Sequence, residues 1–194
     1  MAGSHPLAGY TEFWDDVMAD MEATAEEYRE AGWEVTELHP GDVTPLPNVG
    51  TVGAGVEVDR LGFDVLLPGD EFETVRALVE ESEAAFDGYD AYRAQESDVV
   101  FLVVAMKAES AGRAVVFPLY YAEGQADPML EGAAEAGELR TYLRPLDDSE
   151  RVVFTQRDPD ALFPEGWDAE GGDGVDDADP GDDATGSDGD DAAE

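Results

Sequence analysis

The chain has 194 residues, with 48 Asp and Glu against 10 Lys and Arg, two His and no Cys, for a formal charge of −38. The lack of cysteine excludes disulfides, thiolate zinc sites and a cysteine nucleophile, and two histidines 34 residues apart lack metal-ligand spacing. A surface of this sign repels nucleic-acid phosphates, and no apolar run approaches the ~18 residues a membrane-spanning helix needs.

Residues 1–10 read as a flexible leader. A helix is predicted from Thr11, a capping residue followed by acids that suit the positive end of the helix dipole. Trp14, Met18, Met21, Ala25 and Tyr28 recur at spacings of 4, 3, 4 and 3 and draw one apolar stripe, a docking face, which Gly32 ends. WEVTELHP (33–40) alternates as a strand, and GDVTPLPNVGTVGAG reads as a long Gly- and Pro-rich loop. LGFDVLLP is a short apolar strand, and Asp70 with Glu73 opens a second helix in the manner of a capping box. Its face is Phe72, Val75, Leu78, Val79, Ser82 and Phe86, and Gly88 closes it.

The strongest β signal follows. DVVFLVVAMK (98–107) and RAVVFPLYYA (113–122) flank the turn AESAG and predict an antiparallel hairpin. The first run is apolar at nearly every position, which predicts burial on both faces; Pro118 in the second points to an edge or a bulge. A weaker strand precedes them around Tyr89–Ala94. Asp127 and Pro128 start a third helix that ends at Gly137. ELRTYLRP (138–145) and ERVVFTQ (150–156) make a second hairpin, and Leu162, Phe163 and Trp167 latch over the core. The expectation is an α+β fold: a mostly antiparallel sheet with about three flanking helices, as one domain over 11–167, and a disordered acidic tail over 168–194.

The stretch AEEYREAGWEV running into TELHPGDVTP, together with VVFLVVAMKAESAGRAVVFPLYY, resembles a small family of uncharacterised haloarchaeal proteins over about residues 9–165. The resemblance implies a halophilic origin and no assigned catalytic residues.

Charge distribution points the same way. The tail, 168–194, holds 12 of the acids and no base; subtracting them leaves 36 acids against 10 bases, about −26, on the rest. Lys107 is the sole lysine. Such a field destabilises a compact state in dilute buffer, whereas at molar salt the screening length falls to about 3 Å. Halophilic adaptation is therefore the expected meaning of the charge. The N-terminus has no basic region followed by an apolar stretch and no twin arginine, which predicts a cytoplasmic location.

Several motifs fall short of chemistry. GGDGVDDAD (171–179) approaches a calcium nonapeptide, but one copy cannot stack, and an EF-hand reading would place the bidentate Glu beyond the C-terminus. GTVGAGVEV (50–58) has Val58 where a dinucleotide fingerprint needs its third Gly, and Lys107 is followed by Ala108 rather than Ser or Thr. AESAG joins strand to strand, unlike a nucleophile elbow. His39 and Asp42 read as a turn, not an acid–base pair. No cofactor and no metal is expected.

The most suggestive cluster is cationic: Arg140, Arg144, Arg151 and Arg157 gather four of the ten bases within 18 residues. Strand alternation puts Arg140, Tyr142 and Arg144 on one face, with Thr141 and Leu143 on the other. These three are the candidate site for a carboxylate or phosphate ligand, with Tyr120 or Tyr121 as an adjacent wall; alternatively they pair with nearby acids. Three functional readings follow. The first is a non-catalytic domain that contacts a protein partner or itself. The second is a small anionic-ligand binder or an enzyme that uses the Arg/Tyr cluster. The third is an acidic decoy for nucleic-acid-binding proteins.

Overall fold

The computed structural model describes residues 5, 7–47, 50–52 and 56–168, with the backbone alone for 50–52 and 56–58. The acidic tail beyond Asp168 and the nonapeptide-like stretch lie outside the described residues.

Helix α1 (Thr11–Glu30) forms on the predicted stripe. Met21 and Ala25 are fully buried, Val17 joins them, and Trp14, Met18 and Tyr28 pack at the margin. Thr11 lies inside the helix and Tyr10 holds the cap position without a side-chain bond. Gly32, at φ +91°, turns the chain into strand β1 (Glu34–Glu37).

Where the sequence predicts a Gly- and Pro-rich loop, the chain forms strand β2 (Asp42–Pro47), antiparallel to β5 (Leu61–Leu66). Pro45 and Pro47 are tolerated because β2 is the edge of its sheet, where a missing N–H forfeits nothing. Beyond it, β3 (Gly50–Val52) and β4 (Val56–Val58) pair as a small separate hairpin.

Helix α2 (Gly69–Glu81) starts after Pro68, and no capping box forms. Asp70 already lies within the first turn, and Glu73 turns to Arg76 instead. The helix ends seven residues before Gly88, so Phe86 reaches its partner Phe154 from the following segment.

Strands β6 (Gly88–Glu96), β7 (Val99–Ala108) and β8 (Arg113–Ala122) form the predicted antiparallel set, extended by the weaker first strand. Every residue of β7 except Lys107 is buried, because both faces of the strand are covered. On one face Phe101 meets Phe13 and Trp14 of α1; on the other Met106 meets Gln156. Pro118 sits in a central strand rather than at an edge. Its neighbour β1 pairs with β8 only from Arg113 to Val116, so the position of its absent donor lies beyond the end of that ladder.

Helix α3 (Glu123–Ala136) starts four residues before Asp127, which leaves Pro128 inside it, and ends at Gly137 in the left-handed region. Strands β9 (Glu138–Arg144) and β10 (Val152–Arg157) form the second hairpin as predicted. A 3₁₀ turn (Pro159–Leu162) brings Leu162 and Phe163 into the core, with Trp167 edge-on to Phe163 at 4.7 Å.

The result is α+β with three helices, but the strands divide into two four-stranded mixed sheets, ordered β1-β8-β7-β6 and β10-β9-β5-β2. Each contains one parallel seam, β1 with β8 and β5 with β9. Parallel neighbours require long crossovers, and here the chain leaves each seam, builds other elements and returns. The sheets pack face to face through Phe117 stacked on Phe154 and Phe63 against Tyr121. One cluster of buried side chains runs continuously from Val17 to Phe163. Among the described residues, no helix is long and apolar enough to cross a membrane.

Candidate functional site

The second hairpin arranges its side chains as alternation dictates. Leu139, Thr141 and Leu143 are fully buried toward the other sheet, and Arg140, Tyr142 and Arg144 take the opposite face. That face is locally neutralised. Arg144 Nε donates to Asp64 Oδ2 at 2.7 Å, from the strand paired with β9. Arg140 pairs with Glu138, and Arg151 with Asp148 at 2.6 Å. Tyr142 is nearly buried because the Arg60 guanidinium lies over its ring, 5.5 Å from the centroid.

Arg60 and Asp64 complete this cluster and were not among the residues that sequence reasoning selected. Their signal is a charged pair bracketing and interrupting the apolar strand LGFDVLL at even spacing, which places both on its outer face. Arg60 Nη1 and Asp64 Oδ1, 4.0 Å apart, are buried without a hydrogen-bond partner among the described residues. The expected tyrosine wall is elsewhere. Tyr121 packs on Phe63 between the sheets and donates to the Leu162 carbonyl at 2.7 Å, and Tyr120 packs on Trp14 of α1.

Both histidines are tied to carboxylates. His39 Nδ1 lies 2.7 Å from Glu71 Oε1, and the His39 backbone N–H donates to Glu71 Oε2 at 2.6 Å. Asp42 instead meets His5 at 3.4 Å and accepts from Tyr120 Oη at 3.2 Å, so His39 and Asp42 form no acid–base pair. Burial, reinforced by Asp42, holds the Tyr120 phenol well above the usual tyrosine range, so it acts as a donor that ties β8 to β2. Ser110 lies in a 3₁₀ turn between β7 and β8, a strand-to-strand link as expected. Among the described residues, no group of three His, Cys, Asp or Glu side chains is arranged to hold a metal ion.

The least satisfied surface is the β6 edge. Nine residues of β6 pair with β7 in unbroken register, from Gly88 opposite Lys107 to Glu96 opposite Val99. The two-residue turn that follows is tightened by Ser97 at φ 55°. Among the described residues, nothing pairs with the outer side of β6. Its side chains are drawn onto the two sheet faces and away from the edge. Tyr89 donates to the Asp158 carbonyl at 2.8 Å, and burial pushes its phenol up to about 12. Arg93 folds onto the Phe163 carbonyl at 2.6 Å. On the α1 side, Asp90 accepts from Tyr28 and lies 3.0 Å from Lys107 Nζ. Burial opposes ionisation of Asp90, but those two donors hold it below the usual carboxylate range. Tyr92 remains 51% exposed. Beside it an open groove of about 320 Å³ runs between α1 and the edge, lined by Val17, Asp20, Thr24, Glu27, Tyr92 and Phe101.

Two other edges of the four-stranded sheets differ. β1 has only four residues and β2 carries two prolines. Shortness and proline discourage strand addition, and β6 has neither; the segment 158–165 lies on one face of β6, bonded to the side chains of Tyr89, Arg93 and Gln95, and leaves its outer main chain unpaired among the described residues.

No curated protein and no solved structure matches the chain. Residues 4–164 match the model of a family of unknown function, DUF7529, and the chain belongs to that family.

Proposed function

We propose that this is a halophilic, cytoplasmic, non-catalytic interaction domain that engages a protein partner by strand addition at β6. The observation that carries the reading is the nine-residue β6 edge, unpaired among the described residues and without proline or bulge. Open edges of that length are templates for pairing, and an added strand gains main-chain hydrogen bonds, with neighbouring pockets for alternate side chains. The groove beside Tyr92 is such a pocket. Halophilic adaptation rests on the −38 charge and the single lysine, and a haloarchaeal origin on the sequence resemblance given above.

The test is site-specific photo-crosslinking at molar KCl, with a benzophenone amino acid in place of Tyr92 and, as a control, of Glu131 on α3. The reading expects a discrete adduct from position 92 whose cross-linked peptide is extended and comes from a defined protein. Equal labelling from both positions, or none from position 92, refutes it.

A second reading, an anionic ligand at Arg140, Tyr142 and Arg144, draws support from the buried Arg60 Nη1 beside Tyr142, which has no hydrogen-bond partner among the described residues. It is weaker because Arg140 and Arg144 already have carboxylate partners. A screen of anionic metabolites against wild type and Arg140→Ala/Arg144→Ala at molar KCl separates the two readings.

A further inference from the structure

We infer that the β6 edge takes a cationic extended segment, one with Lys or Arg at alternate positions, in preference to a second copy of this chain. The inference rests on the interaction reading above and names the chemistry of the partner. The strip beside the edge is built from acids. Asp20 and Glu27 line the α1 wall of the groove, and alternation puts Asp90 and Glu96 on the same side of β6. Lys107, the cation next to them, is already engaged by Asp90 at 3.0 Å and Glu109 at 3.6 Å. Arg93 also borders the groove, but its guanidinium is turned away to the Phe163 carbonyl at 2.6 Å. A strand laid along β6 therefore sends every second side chain into a corridor of carboxylates with an apolar floor at Val17 and Phe101.

That geometry discriminates between occupants. A cation at alternate positions would find Asp20 or Glu27 on the helix wall while its methylene stem covers Phe101, as long basic side chains do on apolar surface. A second copy would bring its own Glu96, and the acids beside it, into the same corridor, where groups in contact are screened far less than the overall charge of two chains is at molar salt. Like charges placed opposite one another across strands are destabilising, and rejection of like charge is a source of partner selectivity. Tyr92 supplies the neutral anchor at mid-edge, an exposed aromatic able to stack against an incoming side chain.

The experiment uses the full chain at molar KCl and two labelled probes of about nine residues, the length of β6: alternating lysine–valine and alternating glutamate–valine. Fluorescence anisotropy reads affinity, amide shifts map the site, and sedimentation gives the oligomeric state. Expected are binding of the lysine probe alone, with shifts centred on residues 88–96 and on α1. Asp20→Asn/Glu27→Gln should weaken it about fivefold or more, while Glu131→Gln/Glu135→Gln, an equal charge change on α3, leaves it within twofold. Equal affinity for both probes, or equal loss in both variants, overturns the inference. A concentration-dependent dimer with shifts along β6 and no probe binding also overturns it, yet upholds strand addition at this edge. An undisturbed β6 with no probe and no dimer removes both.

Discussion

Gly62→Ala probes the seam that joins the second hairpin to the rest of its sheet. Gly62 sits at φ +141°, opposite Arg140 in the parallel β5–β9 pairing. A Cβ there would lie 1.7 Å from the Arg140 carbonyl oxygen and 2.6 and 2.8 Å from its carbon and nitrogen, where real contacts essentially never fall under 3.0 Å. The obstacle is backbone, so the strands must part by about 1.3 Å, the shortfall between those distances. Ladder bonds stretched that far leave hydrogen-bonding range. Two such bonds, at about 1 kcal/mol each, together with about 1–3 kcal/mol for an alanine in this backbone region, give about 3–5 kcal/mol. That is a large share of the roughly 5–15 kcal/mol that stabilises a typical domain. Urea unfolding at molar KCl is the assay. Gly124→Ala is the control, since no atom lies within 4 Å of its added Cβ and the residue is helical. The control should be neutral or slightly stabilised. A Gly62→Ala variant within about 1 kcal/mol of wild type would refute the close approach of β5 and β9.

Other consequences are more quickly tested. With about −26 on the part before the tail, circular dichroism from about 0.1 to 3 M KCl should show structure gained or thermally stabilised as the screening length shrinks; an unchanged melting temperature contradicts this. Arg144→Ala removes the cation that hydrogen-bonds the largely buried Asp64, leaving Arg60 at 4.0 Å, and should cost about 1.5–3 kcal/mol; a change below about 0.5 kcal/mol would mean the pair is a solvated surface contact. Lys107→Met should cost about 1 kcal/mol, discounted because Asp90 is 43% exposed. The folded value of Asp90 is lowered, so its contribution is present above about pH 4 and fades as pH falls through that folded value. Lys107 is raised by Asp90 against the effect of burial, so its contribution is present below about pH 10 and fades as pH climbs through the folded value. The stability gap between wild type and Lys107→Met should therefore be flat between those limits and narrow beyond each; a gap independent of pH refutes the pair.

The elements legible in the sequence were those with a strong local signal. Eight consecutive apolar residues from Val99 to Met106, bounded by turn residues, suggest a strand covered on both faces, and the α1 stripe follows helical spacing. What depends on where the chain returns was not legible. The β1–β8 and β5–β9 seams join residues 79 and 78 positions apart, and no local pattern encodes such a partner. β2 was hidden because its prolines are unremarkable at an edge but look like loop punctuation in the sequence. The face shared by Arg140, Tyr142 and Arg144 followed from alternation, whereas the partners that occupy it, Arg60 and Asp64, arrive through the parallel seam. The β6 edge was the hardest to see: GYDAYRAQE is a weak strand by composition, and its openness is a property of sheet order.

Hydrogen exchange on the isolated protein at molar KCl tests the open edge most directly. If β6 is unpaired on its outer side, alternate amides between Gly88 and Glu96 exchange at least about a hundredfold faster than those of β7, and slow when a strand is bound. Uniform protection of all β6 amides in the isolated protein would mean the edge is already covered, and would contradict the account.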